Sequence, residues 1–148
     1  MNVDEDYRPQ TLGGLLPLTL GVNEEGTFDF DQYSLRPEVK AALDALAAEL
    51  KNADYDRLDV LGYTDRLGTV DYNKRLSELR AYAVAQYLIQ KGVPDNKIRY
   101  EGRGEKDPLT QSGECTGQAR AELITCLQKD RRVEIEASIR RKHATVVQ

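Results

Sequence analysis

Tryptophan is absent from this 148-residue chain; methionine and histidine occur once each, phenylalanine and cysteine twice each. No apolar run approaches the ~18 residues a membrane-spanning helix needs. The apolar stretch from Leu12 to Val22 is broken by Gly13, Gly14 and Pro17 and lacks a basic flank, so it does not read as a secretory signal. If the protein is exported, the signal has been removed or the chain is a piece of a longer precursor. There is no CxxC, and with His143 as the sole histidine a Cys/His zinc site lacks ligands. Positive charge is also short, 21 Lys and Arg against 25 Asp and Glu for a net −4, which disfavours general binding to nucleic acid or to an anionic membrane surface. Hydrolytic chemistry is poorly served by the same inventory. The one histidine lies near the end of the chain, and no pair of carboxylates stands out as flanking a bond, so the reading is of a protein that is not an enzyme.

The two cysteines, Cys115 and Cys126, form an even pair at short separation. A disulfide here would tie a polar loop to the end of a short helix and imply an oxidising compartment, whereas two buried free thiols fit the count equally. The bridge is the expected state.

What is present describes one ordinary globular domain, 40% hydrophobic and 31% charged. Residues 1–25 read as an extended leader, residues 26–139 as the domain, and residues 140–148, opening on Arg140-Arg141-Lys142-His143, as a basic tail. Within the domain, Thr27-Phe28-Asp29-Phe30-Asp31 alternates as a strand. Pro37 suits a helix start, and Val39, Leu43, Leu46, Ala47 and Leu50 mark an amphipathic helix. A strand follows over Arg57–Tyr63, then a helix from about Val70 to Lys91, stopped by Gly92 with Pro94 beyond it. Ile98-Arg99-Tyr100 is a short strand, a long loop opens at Gly102, Gly104 and Pro108, and a short helix lies around Gln118–Leu127. In the last strand Val133, Ile135, Ala137 and Ile139 alternate with Glu134, Glu136 and Ser138, so one face is buried and one wet. The order βαβαβ(α)β with one-sided strands predicts an α+β fold, a two-layer sandwich with helices packed on a mixed sheet.

The stretch richest in chemistry is Gly62-Tyr63-Thr64-Asp65-Arg66-Leu67-Gly68, followed by Asn73, Leu76-Ser77 and Arg80. A strand runs into a glycine-bounded turn that carries a carboxylate. At ~100° per residue, Leu76, Leu79, Ala83, Val84, Tyr87 and Leu88 share one arc of the next helix. Arg80 falls inside that arc and Asn73 lies close to it. A guanidinium on an apolar face is costly without a partner. Three arrangements fit: Asp65 and Arg80 pair with each other, Arg80 snorkels to solvent, or the two grip a zwitterion, Asp65 taking its ammonium and Arg80 its carboxylate.

Taken together, Phe28-Asp29-Phe30-Asp31, Gly62-Tyr63-Thr64-Asp65-x-x-Gly68, Tyr72-Asn73, Leu76-Ser77-x-x-Arg80-Ala81, Gly92-Val93, Gly102-x-Gly104-Glu105 and Asp130-Arg131-Arg132-Val133-Glu134-Ile135 resemble the OmpA C-terminal-like family, the peptidoglycan-binding domain shared with Pal and MotB. The resemblance spans roughly residues 26–139, and the cysteine pair before the Asp-Arg-Arg block is similar to the OmpA-type members. Three positions depart: Tyr63 stands where many members have histidine, and Asp31 and Asp130 where many have asparagine. The resemblance implies a non-catalytic, cofactor-free module at the periplasmic face of the outer membrane of a Gram-negative bacterium. It implies binding of the meso-diaminopimelate residue of the peptidoglycan stem peptide, whose side chain ends in an ammonium and a carboxylate on one carbon. Asp65 would then take the ammonium and Arg80 the carboxylate. Asn73, Thr64 and the Asp31 region would hold the peptide by hydrogen bonds. Of Arg131 and Arg132, one would line the site, and Arg131 is assigned to it, while the other pairs with sheet-edge carboxylates; Tyr72 and Leu76 read as packing residues. The alternative implied function is a protein-interaction module for an outer-membrane barrel, with wall binding secondary.

Overall fold

The computed structural model describes residues 7–21 and 35–140. Five strands, β1 (Tyr7–Gln10), β2 (Leu18–Gly21), β3 (Arg57–Tyr63), β4 (Ile98–Gly102) and β5 (Arg132–Arg140), form one mixed sheet, accompanied by α1 (Pro37–Leu50), α2 (Val70–Gln90) and α3 (Arg120–Cys126). β3 lies between a parallel β4 and an antiparallel β5, and β1 and β2 follow one another along the far side of β5. A helical crossover separates the parallel pair, as parallel strands require. The expected α+β sandwich is the observed architecture.

Local chemistry sets the helix ends. Pro37 occupies the first turn of α1, where its missing N–H costs nothing. The Thr69 hydroxyl accepts from the Tyr72 amide at 3.1 Å and caps α2. At the other end Gly92 takes a left-handed conformation (φ 111°), and the Val93 amide reaches back to the Leu88 carbonyl at 3.0 Å, which satisfies an orphan helix acceptor. Both long helices pack on one face of the sheet. Leu43, Leu46, Ala47 and Leu50 of α1, Ala81, Val84, Ala85 and Leu88 of α2, Leu58 and Val60 of β3, and Val133, Ile135 and Ala137 of β5 make one core. None of the helices is long and apolar enough to cross a membrane, among the described residues.

Two expectations change. Residues 7–21, read as a leader, contain β1 and β2, with Leu20 opposite Val133 and Tyr7 opposite Arg140. Leu16 and Leu20 are buried in the core. The strands are short and separated by Gly13, Gly14 and Pro17, so no alternation of useful length appears in the sequence. What holds them is the row of backbone groups that β5 offers on its side away from β3, and Pro9 is tolerated because β1 ends the sheet. The second change is the phase of α2. Its buried residues are Asn73, Ser77, Arg80, Ala81, Val84, Ala85 and Leu88, while Leu79 and Tyr72 are exposed. The cause is a pair of glycines that face each other across the parallel strands, Gly62 on β3 and Gly102 on β4. A Cβ at Gly62 would collide with the Ser77 carbonyl, and one at Gly102 with the Glu78 backbone. The helix backbone therefore rests directly on the sheet there, and a close approach selects small residues rather than leucines. The strand expected over residues 27–31, Asp31 with it, and the tail beyond Arg140 lie outside the described residues.

Candidate functional site

The site forms where the parallel strands β3 and β4 end beside the first turns of α2, the crevice position that parallel sheets favour for ligands. Hydrogen bonds join these pieces: the Arg103 amide donates to the Gly62 carbonyl (2.8 Å), the Thr64 amide to the Gly104 carbonyl (2.7 Å), the Gly104 amide to the Ser77 hydroxyl (2.9 Å), and the Lys74 ammonium to the Gly102 carbonyl.

Asp65 sits in the turn after β3, 8% exposed. Its Oδ1 accepts from the Leu67 amide at 2.9 Å and its Oδ2 from Nη1 of Arg131 at 2.6 Å. The turn is held from within and from the helix. Thr64 donates its hydroxyl to the Asp65 carbonyl at 2.9 Å. Asn73 Nδ2 donates to the carbonyls of Asp65 (3.2 Å) and Leu67 (3.0 Å), with Glu105 Oε1 at 3.5 Å. Asn73 thus stitches the Asp65 turn to α2 and to the loop after β4. Arg80 lies two turns further along α2 on the same buried face, 9% exposed, so it does not reach out to bulk solvent. Four of the expected residues, Thr64, Asp65, Asn73 and Arg131, meet in one hydrogen-bonded cluster. The salt bridge of Asp65 is with Arg131.

The Asp130-Arg131-Arg132 block divides its labour. Asp130, 2% exposed, accepts from the amides of Leu109 and Thr110 (both 2.8 Å) and from the Thr110 hydroxyl (2.6 Å). Arg132 donates to the carbonyls of Asp107 (2.8 Å) and Asp130 (3.1 Å), pairs with Glu134, and lays its guanidinium 3.9 Å over the Tyr63 ring. Arg103 donates to the Tyr63 hydroxyl at 3.0 Å. Burial pushes the Tyr63 hydroxyl above its usual pKa, with Arg103 and Arg132 pulling the other way. Arg131 therefore pairs with Asp65, and Arg132 with a sheet carboxylate.

Thr64, Arg66, Glu105, Thr110 and Gln111 line a cleft of about 590 Å³ whose far wall is the loop ending at Cys115. Cys115 and Cys126 are disulfide-bonded, with Cα atoms 5.6 Å apart. Arg66 Nη2 donates to the Cys115 carbonyl at 2.5 Å, so the bridged loop is tied to the residue next to Asp65. The sequence reading assigned no site role to Ser77, Glu105, Arg66 or Asp130. The visible signal for Asp130 is its place in a run of four charges, Lys129 to Arg132, at the head of a strand; for the others contact across the fold decides.

Known structures share this fold. The peptidoglycan-associated lipoprotein from Burkholderia pseudomallei superposes with a TM-score of 0.62 at 28% identity, over 80% of this chain and 88% of that one. The OmpA-like domain of FopA1 from Francisella tularensis gives 0.59 at 27%, over 85% and 82%. The periplasmic domain of Helicobacter pylori MotB shares the fold, with a TM-score of 0.60 at 21% identity over 90% and 74%. The fold thus defines an OmpA-like α+β domain. The OmpA family model matches residues 27–122, and the chain belongs to that family. It is 50% identical to outer membrane protein A of Escherichia coli O157:H7 over 111 residues, 74% of this chain and 32% of that protein. To outer membrane protein A of Klebsiella aerogenes it is 47% identical over 120 residues, 80% of this chain and 34% of that protein. The chain spans about a third of the length of these two relatives.

Proposed function

We propose that this domain binds peptidoglycan without catalysis, gripping the side-chain zwitterion of diaminopimelate in the stem peptide, and so tethers the outer membrane or an envelope protein to the wall from the periplasmic side. The observation that supports this reading is a pair of buried opposite charges on adjoining elements: the Asp65 carboxylate in a turn fixed by Thr64, Leu67 and Asn73, and the Arg80 guanidinium on the following helix, α2. Arg80 follows Asn73 by seven residues, ~10 Å along the axis, and helical side chains tilt back toward the N-terminus, in this case toward the turn. An ammonium on the carboxylate and a carboxylate on the guanidinium fork use each group in its strongest mode. The name of the Burkholderia neighbour, a peptidoglycan-associated lipoprotein, points to the same polymer.

Purified sacculi should pellet the protein, and free diaminopimelate should release it. In calorimetry, a diaminopimelate tripeptide should bind more tightly than its lysine counterpart by about 2 kcal/mol, the scale of one charge-assisted hydrogen bond. Arg80→Ala should remove most of that preference, and Asp65→Ala should weaken both ligands, since each presents an ammonium. Equal affinity of the wild-type protein for the two peptides would overturn these roles.

A further inference from the structure

The carboxylate assigned to the ligand's ammonium already holds a cation. Asp65 Oδ2 accepts from Arg131 at 2.6 Å, with both side chains largely buried (11% and 17% exposed), while Oδ1 is engaged by the Leu67 amide. We propose that Arg131 is an internal stand-in for the ligand's ammonium and that its competition for Asp65 determines specificity, making the site reject a ligand that brings an ammonium without a carboxylate. This rests on the reading of Asp65 as the ammonium acceptor.

Asp65 already accepts from the Arg131 guanidinium, so an arriving ammonium is a second cation at that carboxylate. It must displace the guanidinium or sit beside it, and two like charges on one part-buried carboxylate repel strongly. A zwitterionic end carries its own remedy. Its carboxylate has lone pairs for more than one guanidinium, so Arg131 exchanges one anion for another instead of losing its partner. The backbone around Arg131 is pinned on both sides: Asp130 holds Leu109 and Thr110, and Arg132 holds Asp107. The side chain is then the part that moves. It has somewhere to go, because Arg131 also lines a second cleft of about 600 Å³, with Glu114, Gln128 and Lys129 among its walls.

The test is calorimetry of wild type, Arg131→Gln and Arg131→Lys with the diaminopimelate and lysine tripeptides. Without the competing cation, Arg131→Gln should bind the lysine peptide about tenfold more tightly while the diaminopimelate peptide gains nothing, so selectivity falls from roughly 30-fold to about threefold. Arg131→Lys keeps a cation and should keep most of the discrimination. A merely structural role would weaken both peptides together, and that result would overturn the proposal. Should Arg131→Gln fail to fold, the wild-type protein still decides: the Arg131 guanidinium ¹⁵N resonance must shift on adding either peptide, and a resonance that stays put also overturns it. A wild type that binds neither peptide defeats the underlying reading of Asp65. A wild type that prefers diaminopimelate while Arg131→Gln gains no lysine affinity defeats this inference alone.

Discussion

At the scale of single residues, the site is built from side chains that hold loops as much as from those that face a ligand. Asp130 shows the difference. Three donors converge on a carboxylate that is almost wholly buried, so Asp130→Ala strands the Leu109 and Thr110 amides and the Thr110 hydroxyl. The expected loss is about 3 kcal/mol, with faster hydrogen exchange at both amides. Asp130→Asn should cost far less. Its Oδ1 can still accept both amides, and its Nδ2 can donate to the Thr110 hydroxyl once that hydroxyl turns round. Urea denaturation of the two variants checks the order, and equal losses would count against the bracket described. The sequence assigns Arg131 to the site, but the carboxylate it meets, Asp65, lies 66 residues away and no spacing rule pairs the two.

At the scale of elements, the contact of α2 with the sheet governs where Asn73, Ser77 and Arg80 point. Gly62→Ala and Gly102→Ala each drive a methyl into helix backbone, which a flexible side chain cannot relieve. Each should destabilise by about 3 kcal/mol and shift the first turns of α2, weakening ligand binding as well. Gly21→Ala on β2 meets nothing within 4 Å and should change stability by less than about 0.5 kcal/mol, a control for the loss of glycine itself. Chemical denaturation of the three variants decides it, and a harmless Gly102→Ala would mean that the helix does not rest on the glycine pair. Helix boundaries were readable in advance because Pro37 and Gly92 act locally. The phase of α2 was not, because the glycines that set it lie on other elements.

At the scale of the whole molecule, the Cys115–Cys126 bridge joins stability to the site. It closes a loop spanning 11 residues, for which chain entropy gives about 3 kcal/mol, or roughly 10 °C in melting temperature. Read from sequence, the bridge lies outside the Asp65 motif. In the fold its loop walls the cleft and meets Arg66. The Cys115→Ser, Cys126→Ser double variant should therefore melt about 10 °C lower and also bind the diaminopimelate peptide less tightly, by calorimetry well below its melting temperature. Unchanged affinity would show that the wall holds its shape without the bridge.

Legible along the chain are the α+β class, the order of β3, α2, β4 and β5, the ends of the two long helices, and the placement of Thr64, Asp65, Asn73 and Arg80 on one turn and the helix after it. Each of these rests on local rules, period, capping or turn chemistry, that act within a few residues. Only the tertiary structure decided that β1 and β2 complete the sheet, that α2 turns its small residues inward, and that Arg131 rather than Arg132 pairs with Asp65. Those outcomes depend on a free strand edge, a glycine pair and a distant carboxylate, and none of these is a neighbour in the chain of the residues it controls.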